Sequence, residues 1–336
     1  MTIQVAMLSY WHVHAEDYAR QVQARPECRI AAVWDELPER GKAQAEKLGV
    51  PFYDNLETLL ANPQIDAVVV DAPSSMHEEV ITAAAKAGKH IFTEKVLAIT
   101  TEAADRIIQA VRESGKSFMI SLPRLTHAVN LQVKEIIDAG LLGQITYLRV
   151  RLAHDGGLPN KNSSEGWLPP HFYSKEQCGG GALIDLGCHP MYLTHFYLGM
   201  PEAVSAQFGY VTGRDVEDNA VVTLRYADGA LAVVEAGFAS RLSPFTLEVC
   251  GTEGCLMMDD FQFRFRSTKL ELGAQEGWIS PVKRPEALPR PMDQWIDHII
   301  HGTPTTISID QGRALTQLME AANLSAASGK SVSIAE

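Results

Sequence analysis

Residues 66–95, DAVVVDAPSSMHEEVITAAAKAGKHIFTEK, decide the fold. A short β-branched run (DAVVVDA) leads into a helical pattern (HEEVITAAAKAG) that stops at glycine, and a second apolar run (HIFTEK) follows. Both runs are almost continuously hydrophobic, as strands covered on two faces must be, and a helix between them makes them a parallel pair. The unit repeats in both directions. Upstream stand the strand IQVAMLS, the helix HAEDYARQVQA, the strand RIAAVWD, the helix PERGKAQAEKLG with Pro at its start and Gly at its end, then PFYD and LETLLA. Downstream lie the helix TEAADRIIQAVRESG and the strand SFMIS. This alternation predicts an α/β domain over residues 1–121, a Rossmann-type doubly wound parallel sheet with ligands beyond the carboxyl ends of its strands.

From residue 122 the pattern changes class. PRLTHAVNLQVKEIIDAGLLG reads as an amphipathic helix and QITYLRVRLAH as a long alternating strand. Residues 155–178 are rich in Gly, Pro, Asn and Ser, too polar for a core and too long for a connector, which marks a functional loop. The strands EAVSAQFGYV, NAVVTLRY, ALAVVEAGF, FTLEVCG, GCLMMDD and FQFRFR follow, and MDQWIDHIIHG and a last long helix close the chain. The expectation for residues 122–336 is an α+β domain with a large, open, mainly antiparallel sheet. One face is expected to lie under a helix and the other to meet a further subunit, giving a homo-oligomer, a dimer or tetramer.

A formal charge of −12 without any Lys/Arg run argues against nucleic acid or an anionic membrane as partner, since both need a concentrated basic patch. A small molecule is the expected ligand. The start, MTIQVAMLSY, lacks a basic segment followed by an apolar one, so a cytoplasmic location is expected. Five scattered cysteines without CxxC spacing read as reduced thiols.

At the first strand-to-helix turn a phosphate-binding G-x-G-x-x-G would place glycines where Ser9, Trp11 and His14 stand. The helix amides after the turn can still hold an anion, with help from Ser9 and His12, while Trp11 must fold aside or stack on the cofactor. Asp35 ends the second strand, where a carboxylate binds a ribose 2′-hydroxyl and repels a 2′-phosphate, which favours NAD over NADP; the competing reading is a turn aspartate ahead of Pro38. His12 and His14 form an H-x-H, but with no further ligands at later strand ends no metal is expected. Glu94 and Lys95 close the fifth strand at the same edge.

The stretch Gly179–Gly199, GGGALIDLGCHPMYLTHFYLG, reads as a glycine hinge running into a buried helix. Asp185 and His189 stand four apart in it, so on a regular helix they share a face, and a carboxylate-oriented imidazole suits general acid/base work. A mutually satisfied core pair is the alternative.

Taken together, E-K after the fifth strand, GGG-A-L-x-D-x-G-x-H and the open sheet resemble the glucose-fructose oxidoreductase / inositol dehydrogenase / MocA family over nearly the whole chain. The resemblance implies Lys95, Asp185 and His189 as the catalytic group, and an NAD-dependent dehydrogenase of a sugar, sugar derivative or cyclitol. An NAD-dependent glycosidase working through transient oxidation of a ring hydroxyl is the alternative, and a non-catalytic sensor a third reading. It also places Pro73, Ser74 and His77 of A-P-S-S-M-H on the nicotinamide side, and matches Arg124 and His127 to a helix-entry motif. Substrate contacts are expected from Arg124, His154, Asp155, Trp167 and His171. The chain departs from the family pattern in the lost glycines, in Val96 for the proline of E-K-P, in His171-Phe172 for Trp-Arg, and in Tyr192 for an aspartate three residues after the histidine.

Overall fold

The computed structural model describes residues 2–260, 262–270, 277–281 and 283–334. The chain forms two compact units, Met1–Pro123 with Pro289–Thr316, and Arg124–Leu288 with Gln317–Glu336.

In the first unit β1 (Ile3–Leu8), α1 (Ala15–Gln23), β2 (Cys28–Trp34), α2 (Pro38–Leu48), β3 (Phe52–Tyr53), α3 (Leu56–Leu60), β4 (Ala67–Val70), α4 (His77–Lys86), β5 (His90–Thr93), α5 (Thr101–Ser114) and β6 (Phe118–Ile120) alternate as the sequence predicts. All strand pairs are parallel, in the order β3-β2-β1-β4-β5-β6. The order reverses between β1 and β4, which opens a crevice at their carboxyl ends. Every residue of β4 is buried, the mark of a strand covered on both faces. Helix ends follow their signals: the side chains of Asn55 and Thr100 accept the Thr58 and Ala103 amides, and Gly49 and Gly115 end α2 and α5 in the left-handed conformation.

A single cut after residue 121 misses the segment Pro289–Thr316, which packs with the first unit. The reason is apolar burial backed by charge. Trp295, on the helix Pro291–His301, is fully buried with its ring 5.7 Å from that of Phe92. Arg25 reaches Asp297 at 2.6 Å and Asp293 at 3.5 Å.

The second unit contains α6 (Ala128–Asp138), β7 (Ile145–Ala153), α7 (Lys175–Cys178), α8 (Cys188–Leu198), β8 (Ala203–Gly209), β9 (Asn219–Arg225), β10 (Leu231–Gly237), β11 (Thr246–Gly251), β12 (Gly254–Asp259), β13 (Phe263–Ser267) and β14 (Val332–Ser333). They form one eight-stranded sheet, β13-β12-β11-β7-β10-β9-β8-β14, antiparallel except where β7 runs parallel to β10. In β9, Ala220, Val222 and Leu224 are buried while Val221, Thr223 and Arg225 are exposed, the alternation of a sheet covered on one side.

Two helices differ from expectation. The predicted helix from Pro123 opens as a 3-10 turn, Pro123–Thr126, and α6 starts only after His127, whose backbone is extended. The hinge-and-helix stretch is interrupted by a π-helical turn, Leu183–Gly187, before α8. Gly187 permits that turn to lie on the sheet, since a Cβ there would meet the Ala236 Cβ at 3.0 Å and Leu183 at 2.7 Å. Asp185 therefore sits in π geometry and His189 in α geometry, so their four-residue spacing is not that of one regular helix face.

Candidate active site

At the carboxyl edge of the first unit Ser9 takes φ 77°, the left-handed conformation that the first fingerprint glycine would supply. Its hydroxyl accepts the Trp11 amide at 3.0 Å, and its own amide donates to the Trp34 carbonyl at 2.6 Å. Serine thus reproduces the turn without the glycine. Trp11 is buried, its ring 6.1 Å from that of His12. His14 is the N-cap of α1 and makes no side-chain cap bond, which leaves first-turn amides directed at this edge. Turn and helix end fit a dinucleotide phosphate.

Asp35 does not offer the open acceptor expected of it. Its fully buried carboxylate accepts the Tyr10 amide at 2.9 Å, the Leu37 amide at 2.8 Å, and Arg40 through Nε at 2.9 Å and a terminal nitrogen at 2.7 Å. Four donors fill the four lone-pair sites of a carboxylate, so a ribose hydroxyl can be accepted only if Arg40 swings away. The turn-aspartate role is present as well, in the bond to Leu37.

Glu94 collects charge. Buried beside β5, it accepts the Tyr18 hydroxyl and faces His14 at 3.4 Å, Lys95 at 3.8 Å and His12 at 3.9 Å. Burial alone would raise its pKa, but His12, His14 and Lys95 hold it well below the usual carboxylate range. Candidate ligand atoms of His12, His14 and Glu94 lie within 4.8 Å of one another. Yet His12 Nδ1 accepts the His14 amide at 3.2 Å, which puts the proton of neutral His12 on Nε2, toward Glu94. Metal ligation through Nε2 would force that proton onto Nδ1, against an N–H donor, so the trio suits a hydrogen-bonded carboxylate better than an ion.

His77 has both nitrogens at carbonyls, Nδ1 at 2.8 Å from Val96 and Nε2 at 3.1 Å from Ala72. Burial lowers its pKa, and the ring ties the segment after β4 to that after β5. Pro73 caps the 3-10 turn Ser74–Met76 beside it, and the Lys95–Val96 peptide is cis. Sequence reading missed Asp71, fully buried at the end of β4, whose carboxylate oxygens have no hydrogen-bond partner among the described residues. Burial first, and the charge of Glu94 second, push its pKa well above the ordinary carboxylate range.

In the second unit the glycine hinge approaches Val216-Glu217. A Cβ on Gly181 would lie 2.2 Å from the Glu217 carbonyl oxygen, so only glycine fits. The buried Glu217 carboxylate accepts the Gly181 amide with both oxygens at 2.9 Å and the Leu183 amide at 2.9 Å, holding the start of the π turn. Nothing in the local pattern VEDN signals this role.

Asp185 and His189 are both half-buried. His189 Nδ1 lies 2.9 Å from the Tyr192 hydroxyl. The charge of Asp185 is felt at His154 and Tyr173: burial lowers the His154 pKa and Asp185 opposes that, while burial first, then Glu165 and last Asp185 raise Tyr173 against Arg214. His154 stacks on Phe238 at 5.3 Å and meets Trp167 at 4.6 Å, and the Trp167 indole donates to Asp155 at 3.1 Å. Three expected substrate residues, His154, Asp155 and Trp167, thus come together. Arg214, missed in the sequence, organises their loop: it stacks on Tyr173 at 3.9 Å and donates to the Gly157 and Glu165 carbonyls. His171 lies on the turn Pro170–Tyr173 beside Phe172. Arg124 instead stacks on Phe245 at 4.9 Å and lines a separate polar cavity of about 360 Å³ with His127, Asp260 and Arg284.

Residues 8–122 match the model of the oxidoreductase family with NAD-binding Rossmann fold, and residues 130–257 that of the GFO/IDH/MocA C-terminal domain. The chain belongs to the Gfo/Idh/MocA family of oxidoreductases, and its N-terminal unit is an NAD(P)-binding Rossmann domain. It is 30% identical to 1,5-anhydro-D-fructose reductase of Ensifer adhaerens over 68% of this chain and 67% of that protein. To myo-inositol 2-dehydrogenase of Thermotoga maritima it is 25% identical over 96% and 95%. Among solved structures, GenD2 from gentamicin A biosynthesis in complex with NAD has a TM-score of 0.81 at 27% identity, over 100% of this chain and 97% of that one. No helix among the described residues is long and apolar enough to cross a membrane.

Proposed function

We propose that the protein is an NAD-dependent dehydrogenase that transfers a hydride between the nicotinamide and a hydroxyl carbon of a sugar, sugar derivative or cyclitol. The observation that carries this reading is His189, an imidazole whose Nδ1 lies 2.9 Å from the Tyr192 hydroxyl, in the unit where the charge of Asp185 reaches His154 and Tyr173. Related proteins whose names give a 1,5-anhydro-D-fructose reductase and a myo-inositol dehydrogenase support the substrate class.

When bound, the nicotinamide supplies the hydride acceptor or donor. Ser9 and the α1 amides would hold the phosphates, with His12 bracing the turn between the His14 amide and Glu94; Asp35 would meet the ribose, and disfavour a 2′-phosphate, once Arg40 swings off it, and Pro73, Ser74, His77 and Glu94 would shape the nicotinamide side. His189 takes the hydroxyl proton through Nε2, and Asp185 stabilises the resulting imidazolium. Lys95 favours the negative charge that develops on the substrate oxygen as its proton leaves. His154, Asp155, Trp167 and His171 supply donors and acceptors to the polyol, while the Arg124 side chain lines the separate cavity and only its backbone amide reaches Tyr192. No metal takes part. We read the protein as a cytoplasmic homo-oligomer; the apolar Val221, Leu231 and Met257 exposed on the sheet support the association.

The test is turnover with NAD across a panel of sugars, sugar derivatives and cyclitols, followed by nicotinamide absorbance. Lys95→Ala should lower the rate by about two to four orders of magnitude. An unchanged rate refutes the assignment of Lys95, and release of an aglycone without net NADH identifies the glycosidase instead.

A further inference from the structure

In the second unit a chain of hydrogen bonds runs behind His189. The Tyr197 hydroxyl donates to Asn130 Oδ1 at 3.2 Å, and Asn130 Nδ2 donates to the Arg124 carbonyl at 2.8 Å. The Arg124 amide donates to the Tyr192 oxygen at 3.2 Å, and that oxygen lies 2.9 Å from His189 Nδ1. Tyr192 is 2% exposed, and its ring stands at 79° to the imidazole with centroids 5.5 Å apart. The phenol oxygen is therefore fixed by its own buried ring and by a backbone donor that α6 and α8 hold in place.

We propose that Tyr192 is the positioning residue of His189: its oxygen accepts both the Arg124 amide and the His189 Nδ1 proton, so that Nε2 is the nitrogen that exchanges protons. This rests on the role proposed for His189, but the tautomer itself does not. A phenol oxygen can serve as acceptor throughout, because the imidazole keeps its Nδ1 proton whether Nε2 is bare or protonated. The Arg124 amide donates to the same oxygen and so fixes it at hydrogen-bonding distance from Nδ1, with a second lone pair left to accept the Nδ1 proton. The role is one of orientation and tautomer, since Tyr192 carries no charge to lend the ring.

Nitrogen-15 NMR of the full-length, histidine-labelled protein reads the tautomer without substrate or cofactor. Neutral His189 should show a protonated Nδ1 and a pyridine-like Nε2; the reverse pattern in the wild-type protein overturns the proposal. Tyr192→Phe should shift the population toward Nε2–H and lower kcat by about tenfold or more with KM changed little, short of the ~10⁴-fold loss seen when a catalytic imidazole is held in the wrong tautomer. Asn130→Ala, which loosens the Arg124 peptide, should move both readouts in the same direction by less. A Tyr192→Phe protein of unchanged tautomer and unchanged kcat overturns the proposal. A correct tautomer in a protein that oxidises no polyol leaves the positioning role standing and removes the dehydrogenase reading.

Discussion

Removing the Glu217 carboxylate tests the most specific structural claim about the second unit. Glu217→Ala strips the acceptors from the Gly181 and Leu183 amides, both inside the protein. Bonds to a charged group contribute about 1.5–3 kcal/mol each, so the gross loss is roughly 3–6 kcal/mol. Part is returned, because burial raises the pKa of this carboxyl and its desolvation cost disappears with it. A net cost of about 2–4 kcal/mol remains. Glu217→Gln is the milder variant: an amide oxygen in place of Oε1 keeps the Gly181 and Leu183 bonds, but the NH2 in place of Oε2 faces the Gly181 N–H and must turn from it, so the cost should be about 1–2 kcal/mol, below that of alanine. Urea unfolding with linear extrapolation measures both variants, and amide exchange at Gly181 and Leu183 locates the effect. An alanine variant within 1 kcal/mol of wild type, or a glutamine variant as damaged as the alanine one, refutes the reasoning.

Three further outcomes are expected. Arg40→Ala should open Asp35 and raise NAD affinity relative to NADP, whereas Asp35→Ala should weaken NAD and improve the relative use of NADP; titration of both cofactors against each variant checks this. Glu94 has its folded pKa depressed from 4.5, so the stability it contributes is present above that value and lost as pH falls through the folded one; Glu94→Gln should flatten the fall in unfolding free energy below about pH 4.5, measured by urea melts across pH. Trp295→Ala should cost roughly 3–5 kcal/mol and lower the melting temperature of the first unit, and a negligible change would mean that Pro289–Thr316 does not complete its core.

Much of the fold was legible because it is written in short-range periodicity. Six β-branched runs separated by helical patterns can satisfy their backbones and bury both faces only as a parallel doubly wound sheet, and β9 alternates because one face is covered. Local signals also marked the special turns: Gly181 stands where the backbone must pass within contact of another segment, and the capping Asn55 and Thr100 stand where helices begin. The sequence could not specify partners chosen across the sheet. Glu217 meets Gly181 36 residues away, and Tyr192 meets Arg124 68 residues away, separations at which no period carries information. Asp35 looked open in sequence and is closed by Arg40, and Asp185 and His189 looked like a regular helical pair until a π turn separated their geometries. Trp295 could be read as part of an amphipathic helix, but not that the helix completes the first unit. Hydrophobic pattern sets which face of an element is buried; only the packed structure sets which polar group a buried amide, carboxylate or imidazole finds there, because that choice depends on the register and approach of segments distant in the chain.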